Sequence, residues 1–200
     1  MSSDYVFDGT RNSPYDETDK PNPISVYGRS KLEAERLALQ YPRGVIVRTS
    51  TLFGPGRMNF CNHIVSRLRL CQAVEAFADQ TTSPTYTVDL ASGLSELVNI
   101  LLVDKQIRNP RVYHLANAGG CTRMTFALRI AQLLEADRAL VHGISMAQQK
   151  RPAQRPAYSA LTSIHAPRIM GRSLPSWEDA LHTYLRARNP FDFAQGGVQR

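Results

Sequence analysis

Brief apolar runs and longer amphipathic stretches take turns along this chain. Residues 5–7, 45–49, 74–77, 112–115 and 140–144 are rich in β-branched, aliphatic or aromatic side chains and are bounded by polar or turn residues, so they read as strands. Residues 30–40, 62–70, 90–102, 126–134 and 176–186 carry apolar side chains at helical spacing or strong helix formers, with Asp89 and Thr125 as helix starts. Strands alternating with helices predict an α/β fold built on a parallel sheet. From Asn189 onward Pro, Gly and Gln follow without period, which predicts a flexible tail over residues 189–200 behind one domain at 1–188. There are no internal repeats.

The composition narrows the class. With 42% hydrophobic residues and a mean hydropathy of −0.30, the 200-residue chain has the makings of one globular core. No apolar run approaches the roughly 18 residues of a membrane helix, and the polar, acidic N-terminus is not a secretory signal, so the expectation is a cytoplasmic protein without a membrane partner. Three cysteines, Cys61, Cys71 and Cys121, lack metal-type spacing, and five scattered histidines likewise suggest no metal site. The net charge of +7 raises nucleic acid as a partner. The arginines are spread along the chain with no dense basic stripe, which argues against it.

Ser3-Asp4 and the pair Tyr27 and Lys31 carry the candidate chemistry. Residues four apart share a helix face, so the Tyr27 phenol and the Lys31 ammonium can look into one cleft. A nearby cation favours an ionised phenol and suits Tyr27 to exchanging a proton with a substrate oxygen, while the Ser3 hydroxyl holds that oxygen. The Tyr-x-x-x-Lys spacing alone also describes an aromatic residue beside a solvated lysine on an ordinary helix face. Its setting after a strand end and a Pro-containing loop favours the chemical reading.

Five segments in one order resemble the extended short-chain dehydrogenases/reductases, and within them the dTDP-4-dehydrorhamnose reductase group. They are Ser3-Asp4-Tyr-Val-Phe-Asp-Gly9; residues 23–35 with Tyr27 and Lys31; Val47-Arg48-Thr49-Ser50 leading to Phe53-Gly54; Asp79-Gln80 with Ser83-Pro-Thr-Tyr86 and Asp89-Leu-Ala91; and Arg155-Pro156 with Ser159 and Leu161. The resemblance implies the C-terminal part of a Rossmann-like doubly wound parallel sheet with a smaller substrate-binding lobe. It implies a catalytic Ser3, Tyr27 and Lys31, with NADPH (or NADH) as cofactor near Tyr27, Lys31, Arg48, Thr49 and Ser50. A nucleotide-diphosphate sugar is the implied partner, met by Asp4, Asn59, Phe60 and Arg155, in a possible homodimer. A planar guanidinium suits two phosphate oxygens, although Arg155 in its Pro-rich stretch also reads as a solvated loop residue.

The departures from the family pattern are as specific. No glycine-rich strand–turn–helix of the kind that seats a dinucleotide pyrophosphate occurs in the sequence. The expectation is therefore a chain that starts late in a longer gene and binds NADPH poorly by itself. The family commonly carries Trp where this chain has Thr51, and Ser-Trp where it has Thr122-Arg123. The implied activity is reduction of a nucleotide-linked 4-keto sugar. The alternatives are an epimerase or dehydratase of the same fold, and a non-catalytic regulatory subunit like the β subunit of methionine adenosyltransferase, which resembles the same group.

Overall fold

Ile46, Val47, Arg48 and Thr49 are all buried, the mark of a parallel strand covered on both faces. In a computed structural model, which describes residues 1–103, 110–149 and 151–187, this strand is the middle of a parallel three-stranded sheet. The elements in chain order are β1 (Ser2–Ser3), α1 (Val26–Leu39), β2 (Ile46–Thr49), β3 (Leu52–Phe53), α2 (Phe60–Arg69), β4 (Val74–Phe77), β5 (Thr81–Thr82), β6 (Thr85–Tyr86), α3 (Thr87–Val103), β7 (Val112–His114), β8 (Cys121–Thr122), α4 (Arg123–Leu133), β9 (Val141–Ile144), α5 (His165–Met170) and α6 (Trp177–Ala187). The sheet runs β1-β2-β7, with Ser3 opposite Thr49 and Arg48 opposite His114. A separate parallel pair joins β4 to β9, and β3 pairs in parallel with β6. The fold is thus α/β with parallel strands.

Three buried clusters hold these layers together. The largest gathers Phe53, Tyr86, Phe126, Trp177 and Tyr184 from β3, β6, α4 and α6, with Phe53 5.6 Å from Tyr86 and 5.7 Å from Tyr184 between ring centroids. A second packs α3 and α5 onto β2 and β7 through Leu97, Tyr113 and Ala166. The third, Val6, Phe7, Tyr15 and Leu161, lies under the segment that follows β1.

Several boundaries differ from the sequence expectation for identifiable reasons. Residues 5–7 are not a strand: the chain leaves the sheet after Ser3 and forms a one-turn 3-10 helix, Asp4–Val6, whose Tyr5 N–H is accepted by the Ser3 side chain. Val6 and Phe7 are fully buried by that turn, which explains an apolar run without a strand. Thr122, not Thr125, caps α4 by accepting the Thr125 N–H. Asp89 lies inside α3 and accepts a hydrogen bond from Asn117 at 2.8 Å. Helix α5 was hidden by its lack of apolar period. The expected tail at 189–200 lies outside the described residues.

Candidate active site

The Asp4 carboxylate is the hub of the site. It is 2% exposed and accepts hydrogen bonds from Ser3 Oγ at 2.8 Å, Ser50 Oγ at 2.8 Å and Ser159 Oγ at 2.6 Å, so three distant segments meet on one side chain. Burial pushes its pKa above the ordinary 3.8, while the hydroxyls and the charge of Arg123 pull the other way. Ser50 Oγ in turn accepts the Ser83 N–H at 3.3 Å. Ser83 Oγ accepts the Leu161 N–H at 3.0 Å and donates to the Gly119 carbonyl at 2.8 Å. The Ser-Pro-Thr-Tyr segment is therefore the frame behind the hub.

Helix α1 is seated against that hub by two devices. Ser25 caps it by accepting the Gly28 N–H at 3.0 Å, and Gly28 lies so close to the Ser3–Tyr5 turn that a Cβ there would come 2.2 Å from the Tyr5 carbonyl oxygen. Only glycine allows this approach. At the next turns, Glu35 takes a two-pronged ion pair from Arg48 of β2, with Nε–Oε1 at 2.9 Å and Nη2–Oε2 at 2.7 Å, both side chains 4% exposed. The seat sets Tyr27 and Lys31 on the outer face: Lys31 Nζ is 5.6 Å from the Tyr27 ring centroid, and the Tyr27 ring meets that of Tyr5 edge-on at 5.8 Å. Tyr27 is half exposed, and among the described residues neither its hydroxyl nor Lys31 Nζ makes a hydrogen bond. Both donors are open to a ligand.

Beside the hub the site turns basic. Arg123, the first residue of α4, donates from Nη2 to Thr51 Oγ1 at 3.2 Å and lies 4.7 Å over the Phe60 ring. Burial pushes the Tyr5 phenol up, against the pull of the Arg155 and Arg123 charges. Arg155 stands exposed on the wall of a cleft of about 390 Å³ that also includes Ile24, Phe77, Arg151 and Gln154. Arg151 covers the Phe77 ring at 4.7 Å.

Set against the sequence expectations, the structure brings Ser3, Asp4 and Ser50 into one network and leaves Tyr27 and Lys31 open beside it. Other residues are occupied differently. Arg48 is buried in its pair with Glu35, which ties α1 to β2. Thr49 Oγ1 is buried and unpartnered. Asn59 spends its amide capping α2 and bracing the Gly54 and Arg57 carbonyls. Phe60 carries the Arg123 guanidinium. Tyr5, Arg123 and Ser159 escaped the sequence reading as site residues because each is one polar residue without a spacing pattern; only their departure from or place within a motif signalled them.

Comparison with known proteins assigns the family and the fold. Residues 1–189 match the family model described as the RmlD substrate binding domain. The chain is 33% identical over 184 residues to a dTDP-4-dehydrorhamnose reductase of Sinorhizobium fredii, covering 90% of this chain and 62% of that protein. It is 37% identical over 193 residues to the enzyme of that name from Mycobacterium tuberculosis, covering 94% and 62%. A crystal structure of dTDP-4-dehydrorhamnose reductase from Bacillus anthracis in complex with NADP superposes with a TM-score of 0.83 at 31% identity, covering 94% of this chain and 64% of that one. The chain thus spans less than two thirds of the length of these relatives. A UDP-galactose 4-epimerase, 17% identical with a TM-score of 0.70, shares the fold.

Proposed function

We propose, for a chain that belongs to the RmlD substrate binding domain family, that it reduces the keto group of a dTDP-linked 4-keto sugar with NADPH. The observation that carries the reading is the pair of open donors, Tyr27 Oη and Lys31 Nζ, on a helix locked by Gly28 against the Ser3–Asp4 turn. The donor set fits the nicotinamide end of a dinucleotide: an ammonium for ribose hydroxyls beside a phenol for a carbonyl oxygen. The complex of the Bacillus anthracis relative with NADP supports that choice of cofactor. When bound, the cofactor supplies a hydride to the carbonyl carbon.

The chain's own residues do the rest. Ser3 Oγ, already polarised by its bond to Asp4, turns to hold the carbonyl oxygen, and Tyr27 Oη gives that oxygen its proton as the C=O bond becomes C–O–H. Lys31, 5.6 Å from the ring centroid, stabilises the phenolate left on Tyr27. Arg155 and Arg151 on the cleft wall meet the diphosphate.

The test mixes the chain with NADPH and a dTDP-4-keto-6-deoxy sugar and follows both. One NADPH oxidised per sugar reduced, lost in Tyr27→Phe, is the expected result. Rearrangement of the sugar without net NADPH consumption would identify an epimerase instead.

A further inference from the structure

Two lone pairs and one proton decide what the Ser3 hydroxyl can offer a substrate. Ser3 is partly exposed, whereas Asp4, Ser50 and Ser159 are buried. Ser3 Oγ accepts the Tyr5 N–H at 3.2 Å and lies 2.8 Å from Asp4 Oδ1, a contact between two oxygens that can run in either direction. With Asp4 as the anion, the Ser3 proton is drawn onto Oδ1, inward and away from a ligand. With a proton on Oδ1, Asp4 becomes the donor and both Ser3 lone pairs are filled, so the Ser3 O–H is left to point outward. The other carboxyl oxygen suits this second arrangement. Asp4 Oδ2 accepts from Ser50 Oγ at 2.8 Å and from Ser159 Oγ at 2.6 Å, so two donors from distant segments fix it as the proton-free side of the acid. The surrounding influences oppose one another: burial is the largest and favours the neutral acid, while the three hydroxyls and, last, the through-space charge of Arg123 favour the anion. Arg123 in turn faces the Tyr5 phenol and the like charge of Arg155, and the Tyr5 phenol feels Asp4 as well.

Resting on the reading of the site as a ketoreductase, we propose that Asp4 is a positioning residue that works as the neutral acid, donating from Oδ1 to Ser3 Oγ and thereby aiming the Ser3 O–H at the substrate carbonyl oxygen. No proton leaves Asp4 or Ser3 in the step: Tyr27 gives the one that ends on the sugar oxygen. A buried carboxyl kept neutral so that it can donate a hydrogen bond is an established catalytic device. The Tyr5 N–H completes it, because it fills the second Ser3 lone pair from a backbone turn that does not titrate.

Carbon-13 NMR of the full chain labelled at its aspartate carboxyl carbons tests this, with the Asp4 signal assigned by its loss in Asp4→Asn. The signal expected at neutral pH is that of a carboxylic acid. In turnover with NADPH and a dTDP-4-keto-6-deoxy sugar, Asp4→Ala should lose about 10²-fold in kcat, the scale of one missing donor to a developing oxyanion, because nothing then aims the Ser3 hydroxyl. Asp4→Asn sets an amide donor toward Ser3 and an acceptor toward Ser50 and Ser159, so it should recover at least about tenfold of that loss although it carries no charge at any pH. If Asp4→Ala does not fold, the NMR signal and the Asp4→Asn rate decide. A carboxylate signal for Asp4 at neutral pH would overturn the proposal. So would an Asp4→Asn variant no faster than Asp4→Ala, or one that folds and turns over at less than about one hundredth of the parent rate. Those results would leave the ketoreductase reading standing; failure of the parent chain to oxidise NADPH with the sugar would remove both.

Discussion

Replacing Glu35 by Gln keeps the side-chain shape and deletes the charge that Arg48 is buried against. The pair is two-pronged at 2.9 and 2.7 Å with both side chains 4% exposed, and Arg48 Nη1 is buried with no partner at all. The guanidinium of Glu35→Gln would keep its positive charge in an apolar surround, over the Phe7 ring at 5.2 Å, with no anion to offset it. Breaking one side of such a pair costs about 3–5 kcal/mol, and the retained amide oxygen argues for the lower end, about 3 kcal/mol. With a urea m-value of about 2 kcal/mol/M, the unfolding midpoint should fall by about 1.5 M. The double replacement Glu35→Leu with Arg48→Met removes both charges together and should recover stability to within about 1 kcal/mol of the parent. Urea unfolding followed by circular dichroism measures all three. A midpoint for Glu35→Gln within about 0.25 M of the parent would refute the view that this pair fastens α1, and with it Tyr27 and Lys31, to the sheet.

Three further outcomes follow from the same geometry. Tyr27→Phe removes the proton donor and should cost about 10²–10⁴ in turnover with the unfolding midpoint unchanged, checked by NADPH oxidation beside a urea melt. Gly28→Ala puts a Cβ 2.2 Å from the Tyr5 carbonyl oxygen and 2.8 Å from Pro23 Cβ, so α1 must retreat by about 1 Å; turnover should drop about 10²-fold and stability by about 1–3 kcal/mol, and an unchanged rate would show that the seat is not needed. Asp4 has a pKa raised by burial above the ordinary 3.8, so its contribution to stability is present below that value and is lost as pH rises through the native pKa. Unfolding free energies of the parent and Asp4→Asn should therefore converge, or cross in favour of the variant, as pH is raised from about 4 to 7; parallel curves would argue against an ionising buried Asp4.

Periodicity and residue type carried the element order a long way. The strand at 74–77 and the helices around 30–40, 62–70 and 176–186 stand within a few residues of their expected places, because burial of an apolar stripe is a local property of the sequence. Residues 5–7 broke the rule, since Val6 and Phe7 reach the core through a turn whose geometry Ser3 and Asp4 dictate. Within the site, Tyr27 and Lys31 were legible because one helix joins them. The pairing of Arg48 with Glu35 was not legible, because the two residues lie on different elements.

The sequence by itself thus determined the alternation of strands and helices, the Tyr-x-x-x-Lys face and the hydroxyl at the strand end, all of which depend on residues within one or two turns of each other. Only the tertiary structure decided that Ser3, Ser50 and Ser159 converge on a buried Asp4, that Gly28 and the Glu35–Arg48 pair hold α1 in place, and that Arg123 meets Thr51 across 72 positions of chain. Such contacts depend on crossovers that bring distant segments together, and no local period records which partner a buried charge will find.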